Sequence, residues 1–210
     1  GIYEETVGGG AVSGEPATGA FLASTGTASG DLARGSTQVR HQYEFGQSLY
    51  TYFVLALGDQ GKANVRRRWG LYDSDNGYFF ELDGTTLYTV TRGDSTGSPV
   101  DTRVASTSWN KDRLDGSHGV NNRSGISIDV SKINGWWIDI NYGVRVRFGI
   151  VSPLGGRTTV HEVQVANTLT IPETQATSML MSMGQENTGV AASTSEIRAW
   201  CGVTGIEGPR

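Results

Sequence analysis

The stretch from Arg66 to Arg92, RRRWGLYDSDNGYFFELDGTTLYTVTR, decides the fold class. Arg67, Trp69 and Leu71 alternate with Arg66, Arg68 and Gly70, and this period of two puts the apolar bulk on one face. The run DSDNG breaks the pattern, and Asn76-Gly77 is a strong hairpin signal because both residues tolerate positive φ. Tyr78, Phe80 and Leu82 then alternate with Phe79 and Glu81. Asp83-Gly84 supplies a second turn, after which Tyr88 and Val90 face opposite to Leu87 and Thr89. Three strands with one aromatic face form a meander, and that face needs a second sheet to bury it.

The flanking sequence continues in the same style. Upstream, LYTYFVLAL (49–57) is apolar on both faces, which predicts a central strand buried between layers. Val39, His41, Tyr43 and Phe45 alternate with polar residues and predict a half-buried strand. Residues 1–36 are rich in Gly, Ala, Ser and Thr, with isolated apolar anchors at Ile2, Val7, Val12, Phe21 and Leu22. They predict an extended arm laid on a neighbouring chain, or a disordered leader. Downstream, a tip at 93–99, a strand at 100–105 and a long polar loop at 109–125 precede strands near 126–130, 136–142, 144–150, 158–165, 178–183 and 196–203. Short strands with frequent turn signals and no helical period predict an all-β fold. The expected architecture is an antiparallel two-sheet β-sandwich, jelly-roll or concanavalin-like, over 37–205. It carries the N-terminal arm 1–36 and a tail at 206–210.

Composition narrows the function classes. The net charge of −4 over 210 residues argues against non-specific nucleic-acid binding and against an anionic membrane surface as partner. No apolar run is long enough to span a membrane as a helix. The single cysteine, Cys201, forms no intrachain disulfide, and its alternation with Ile197, Ala199 and Val203 predicts a core position. The chain carries no signal peptide and opens on Gly, which predicts processing or a piece of a longer chain.

Each candidate motif has a structural reading beside its chemical one. Gly93-Asp94-Ser95-Thr96-Gly97 fits G-x-S-x-G, but strands on both sides and Pro99 make it a hairpin tip, not a nucleophile elbow. Asp73, Asp75 and Asn76 group oxygen ligands and are the calcium candidates. The spacing fails the EF-hand pattern, so a turn is the stronger reading. His41, His118 and His161 lack metal-ligand spacing, and neither a metal nor a cofactor is expected. Met179, Met181 and Met183 form a one-face stripe expected in the core or an interface. Asn122-Arg123-Ser124 is a glycosylation sequon. Trp109, Trp136 and Trp137 are the candidates for stacking on a sugar ring. Trp136 and Trp137 must point to opposite faces of one strand, so one belongs to the core and the other is exposed or covered by a neighbour.

From Arg68 to about Asn167 the chain resembles β-rich structural virion proteins of tailed bacteriophages and related environmental viruses. The resemblance rests on WGLYDSDNGYFFELDGTTLYTVTR (69–92), VDTRVASTSWNKDRLDG (100–116), SGISIDVSK (124–132), GVRVRFGIV (143–151) and HEVQVAN (161–167). SHGVNNR (117–123) is longer than the Gly-Pro-type turn expected there. The resemblance implies a non-enzymatic virion component, either a capsid decoration or minor capsid protein or a tail or fibre part. Its partners would be copies of itself, a trimer being one arrangement, and other virion proteins. The alternative is a lectin-like carbohydrate-binding module that attaches to host-surface glycans.

Overall fold

A computed structural model describes residues 1–43 and 46–207. The strands in chain order are β1 (Ile2–Val7), β2 (Ala11–Glu15), β3 (Ala20–Thr25), β4 (Leu32–Thr37), β5 (His41–Gln42), β6 (Ser48–Ala56), β7 (Val65–Tyr72), β8 (Gly77–Asp83), β9 (Thr86–Gly93), β10 (Val100–Ala105), β11 (Asn134–Asn141), β12 (Arg145–Val151), β13 (Arg157–Gln164), β14 (Ser178–Met179), β15 (Met181–Asn187) and β16 (Ser195–Glu207). Sheet A runs β1-β4-β15-β7-β8-β9-β10 and sheet B runs β13-β12-β11-β6-β16-β3-β2, all antiparallel, while β5 and β14 form a small separate pair. Two seven-stranded sheets packed face to face make the expected antiparallel β-sandwich.

The meander is β7-β8-β9, and its inward face decides the core. Phe80 lies 5.8 Å from Trp69, 4.8 Å from Trp136 and 5.4 Å from Phe148, centroid to centroid, with Trp109 at 6.4 Å. Trp69 meets Trp136 edge to face at 5.0 Å. Rings from both sheets therefore interlock around Phe80, in the edge-to-face and offset arrangements aromatic quadrupoles favour. The first turn is a four-residue loop, not an Asn76-Gly77 tip: Tyr72 pairs with Gly77, and Asp73 closes the loop by accepting the Asp75 and Asn76 amides. In the second turn Asp83 pairs with Thr86, and Gly84 (φ 59°) takes the first central position, the one a type II′ turn reserves for glycine.

The outward face of sheet A is a lattice of arginines and carboxylates. Glu81 is fully buried under Arg66, Arg68 and Arg103, with Arg68 Nε donating to it at 2.7 Å. Arg66 also reaches Asp83 and Glu186, and Arg92 grips Asp101 at 2.6 and 2.8 Å. The Arg68 and Arg92 guanidinium groups lie over the Phe79 ring, and Arg103 lies over Tyr88. Flat guanidinium groups stack on rings and fork onto carboxylates at once, which lysine cannot do. Arg67, on the opposite face of the same strand, is buried with the core and held by Asp59 at 2.6 and 2.8 Å.

Several expectations are corrected. Residues 2–37 are not an extended arm or leader. They form β1 to β4, and each sheet receives two of the four strands. The isolated apolar residues have local partners: Phe21 packs over Gly35, where a side chain on residue 35 would collide with its ring. Asp31 ties the turns together by accepting the Gly9 and Ala28 amides. The strand expected over 39–45 shrinks to β5, with Phe45 outside the described residues. β6 lies at the centre of sheet B as expected, yet only one of its faces is core. Leu49, Thr51, Phe53 and Leu55 point in, while Tyr50, Tyr52 and Val54 point out. Residues 126–130 form no strand, only an isolated bridge at Ser127. The tail expected at 206–210 begins inside β16, and 208–210 lie outside the described residues. Cys201 is exposed, not core. Between Ala199 and Cys201 the register of β16 on β6 slips by one residue. The extra residue, Trp200, reverses which side chains face inward, as a β-bulge does.

Candidate functional site

The three tryptophans singled out as sugar platforms do not offer one. Trp109 is fully buried and donates its indole N–H to the Val104 carbonyl at 3.1 Å. Trp136 is part of the Phe80 cluster. Trp137 points to the outer face of sheet B, as the alternation with Trp136 requires, but only 4% of it is exposed. Its ring lies flat over Gly149, its N–H donates to the Ile150 carbonyl at 3.0 Å, and Tyr50 stacks on it at 6.2 Å.

Two of the three calcium candidates, Asp73 and Asn76, are occupied by the protein itself, while the third, Asp75, is exposed and accepts the Ser74 hydroxyl at 3.0 Å. One Asp73 oxygen accepts two loop amides and the other meets Arg40 at 2.9 Å. Asn76 Oδ1 accepts the Thr174 hydroxyl and the Gln175 amide. The Arg40 guanidinium and these amides outweigh the burial that would raise the Asp73 carboxyl, and hold it below the usual range. Among the described residues no group of three His, Cys, Asp or Glu side chains is placed to hold a metal ion. Ser95 sits in the loop joining β9 to β10, where the Asp94 amide donates to Gln175 Oε1 at 2.9 Å and the Thr96 hydroxyl donates to the Ser98 carbonyl at 3.3 Å.

His161 lies in β13 with its ring turned inward, 7% exposed, its Nδ1 accepting the Asn110 amide at 3.4 Å. Burial lowers its pKa to about 4 from the ordinary 6.5, with Lys111 adding to the shift and Glu162 opposing it. The unfolded chain therefore binds the extra proton between these values, and stability rises with pH wherever that is so. Urea midpoints are expected to fall as pH drops from about 6.5 towards about 4, and His161→Gln is expected to flatten that slope. The window is distinct from that of Asp59, which Arg67 holds down at about 2 and which loses its contribution only below the ordinary carboxylate range.

The outer face of sheet B gathers the side chains that sequence reasoning did not single out. Register places Val203, Tyr52, Trp137, Gly149 and Thr159 in one row across five strands, with Gly205, Tyr50, Asp139, Arg147 and Glu162 in the next. Arg157 lays its guanidinium over the Tyr50 ring at 4.3 Å. Arg147 pairs with Asp139 Oδ2, its Nε at 3.0 Å. Asp139 is 4% exposed, and its second oxygen, Oδ1, is buried with no donor among the described residues. Glycine makes room here: a side chain on Gly149 would strike Trp137, and one on Gly135 would strike Tyr52. The result is a tyrosine surface beside the buried Trp137 indole, next to a carboxylate–guanidinium pair. Such a pair both accepts and donates hydrogen bonds, and the rings offer apolar faces.

No family model matches the chain, and no curated protein matches it. Solved structures do. A protein of unknown function from Shewanella oneidensis MR-1 matches with a TM-score of 0.53 at 9% identity, covering 94% of this chain and 78% of that one. The binding domain of botulinum neurotoxin DC, solved with SialylT, matches with a TM-score of 0.52 at 11% identity, covering 97% of this chain and 42% of that one. The alginate lyase from Klebsiella pneumoniae matches with a TM-score of 0.52 at 8% identity, covering 95% and 85%. This chain thus spans about two fifths of the neurotoxin chain. At these identities the likeness is one of fold: the chain is a two-sheet β-sandwich of the architecture these proteins share.

Proposed function

We propose that the chain is a carbohydrate-binding β-sandwich that does not turn its ligand over, and that the outer face of sheet B is its sugar platform. The observation that carries this reading is Asp139, whose buried and unpartnered Oδ1 lies in the same row as Tyr50 and beside Arg147. A sugar ring presents an apolar C–H face and a rim of hydroxyls. The Tyr52 ring suits the face, Asp139 accepts from one hydroxyl, and Arg147 donates to its neighbour. Two of the solved structures of this fold support the reading: one is a neurotoxin binding domain in complex with SialylT, the other an alginate lyase.

The test is a glycan array with the intact chain, followed by titration of any hit. Hydrogen bonds to charged groups contribute about 1.5–3 kcal/mol, so Asp139→Asn is expected to weaken a hit by at least about tenfold. Tyr52→Ala is expected to do likewise. Hits that bind both variants as they bind the parent would remove the platform from this face.

A second reading has its own support. The resemblance across 68–167 points to a structural virion protein that assembles as a homo-oligomer with other virion proteins. The edge of sheet A fits assembly: β1 is exposed at every residue but the half-buried Glu5, with Ile2, Tyr3 and Val7 each at least half open to solvent. An open edge strand is a template for pairing with another chain. Quantifying this chain against the major capsid protein in purified particles tests it. Hundreds of copies are expected for a shell or decoration protein and a handful for a fibre or spike, while absence from particles would end this reading. The two proposals use different surfaces and are compatible.

A further inference from the structure

Sheets A and B part at one end of the sandwich, and the crevice between them is apolar. Its volume is about 190 Å³, and Phe21, Phe53, Met181, Met183 and Trp200 line it. The bulge in β16 creates this arrangement. Before the slip Ala199 faces inward; after it Gly202 does, directly opposite the Met181 sulfur, where a Cβ would sit 3.0 Å away. Glycine at 35 lets the Phe21 ring form one wall, and glycine at 202 keeps the chain clear of the Met181 thioether, so a larger residue at 202 would push into the crevice. Thr204, next on the same side, donates its hydroxyl to the Met181 sulfur at 3.6 Å and fixes that thioether.

We propose that this crevice binds a small neutral aromatic molecule of one ring or two fused rings. An enclosed apolar cavity of about 150 Å³ takes up benzene, and this crevice, open to solvent on one side, offers about 190 Å³. The chemistry agrees with the size. Three aromatic rings offer edges and faces to a planar guest, and two thioethers supply polarizable sulfur, which favours ring edges and adapts in shape. No charged side chain lines the crevice, so an ionised ligand would lose its hydration without compensation.

The chain's only methionines, Met179, Met181 and Met183, make the test specific. Met181 and Met183 line the crevice, whereas Met179 is buried elsewhere. In methyl NMR of the methyl-¹³C-methionine protein titrated with indole, the Met181 and Met183 signals are expected to shift saturably with a Kd of about 1 mM or tighter. Met179 is expected to stay in place, and contacts from indole protons to the Met181 methyl are expected in the parent protein. Gly202→Leu fills the crevice and is expected to weaken binding at least about tenfold. The proposal is overturned if no signal saturates, if all three methionines shift alike, or if the parent shows no indole-to-Met181 contact. A folded Gly202→Leu protein that binds like the parent overturns it as well.

Discussion

Phe80→Ala is expected to destabilise the sandwich by about 3–5 kcal/mol, the usual cost of removing a buried aromatic from a packed core. Phe80 is fully buried and meets four other rings, two of them, Trp136 and Phe148, from the opposite sheet. Trp69 and Trp136 are fixed by their strands and Trp109 by its indole bond to the Val104 carbonyl, so they cannot all collapse into the gap. The cavity term therefore adds to the lost transfer energy. Urea denaturation followed by tryptophan fluorescence reads the change directly, since three of the five tryptophans surround the substituted ring. Phe80→Leu, which restores most of the volume, is expected to cost clearly less. A loss below about 1 kcal/mol for alanine would mean that the two sheets are not joined through this cluster.

Glu81→Ala is expected to cost a similar amount for a different reason. Glu81 is the one fully buried carboxylate in the outward lattice of sheet A, and Arg66, Arg68 and Arg103 converge on it. Removing one partner of a buried ion pair costs about 3–5 kcal/mol, because the remaining charges lose their compensation. Asp83 and Asp101 lie at the rim of the same lattice, and their arginine partners hold both carboxyls below the usual range. Glu81→Gln keeps the shape and an acceptor oxygen, and is expected to recover part of the loss. If the alanine variant unfolds at the parent's midpoint, the lattice is a surface decoration with no part in stability. In that case exposed ion pairs of this kind contribute no more than about 1 kcal/mol each.

The sequence was legible where period and turn chemistry agree. The meander could be read because RRRWGLY and YFFELD alternate cleanly and Asp83-Gly84 marks a turn. The same logic found β11 and β12, where Trp136, Ile138 and Ile140 face Val146, Phe148 and Ile150. It failed where residues looked apolar on both faces or on neither. LYTYFVLAL hid an amphipathic strand, because tyrosines on an outer face carry as much apolar surface as core residues. The first 36 residues showed little period, since their strands are short and their packing relies on Gly35 and Asp31 rather than on bulky side chains. The bulge at Trp200 leaves no sequence mark, and one slipped residue moved Cys201 from the expected core to the surface.

The candidate site was half legible for the same reasons. Trp137 was correctly set apart from Trp136 by strand alternation. Its neighbours on that face, Tyr50, Asp139, Arg147 and Arg157, come together only through pairing of the four strands β6, β11, β12 and β13, from residue 50 to residue 157. No local pattern encodes that pairing. Trp109 looked available in a polar loop, yet it is swallowed by the core through its contact with Phe80. Asp73, Asp75 and Asn76 looked like ligands because turn chemistry and calcium chemistry use the same oxygen-bearing side chains.

The most direct test of the central proposal is titration of the best array glycan against the parent and the Asp139→Asn variant, with circular dichroism of both confirming the fold. Sugar recognition on the outer face of sheet B predicts a saturable parent isotherm and an affinity at least about tenfold lower in the variant. Equal affinities, or an array without a single saturable hit, would contradict it.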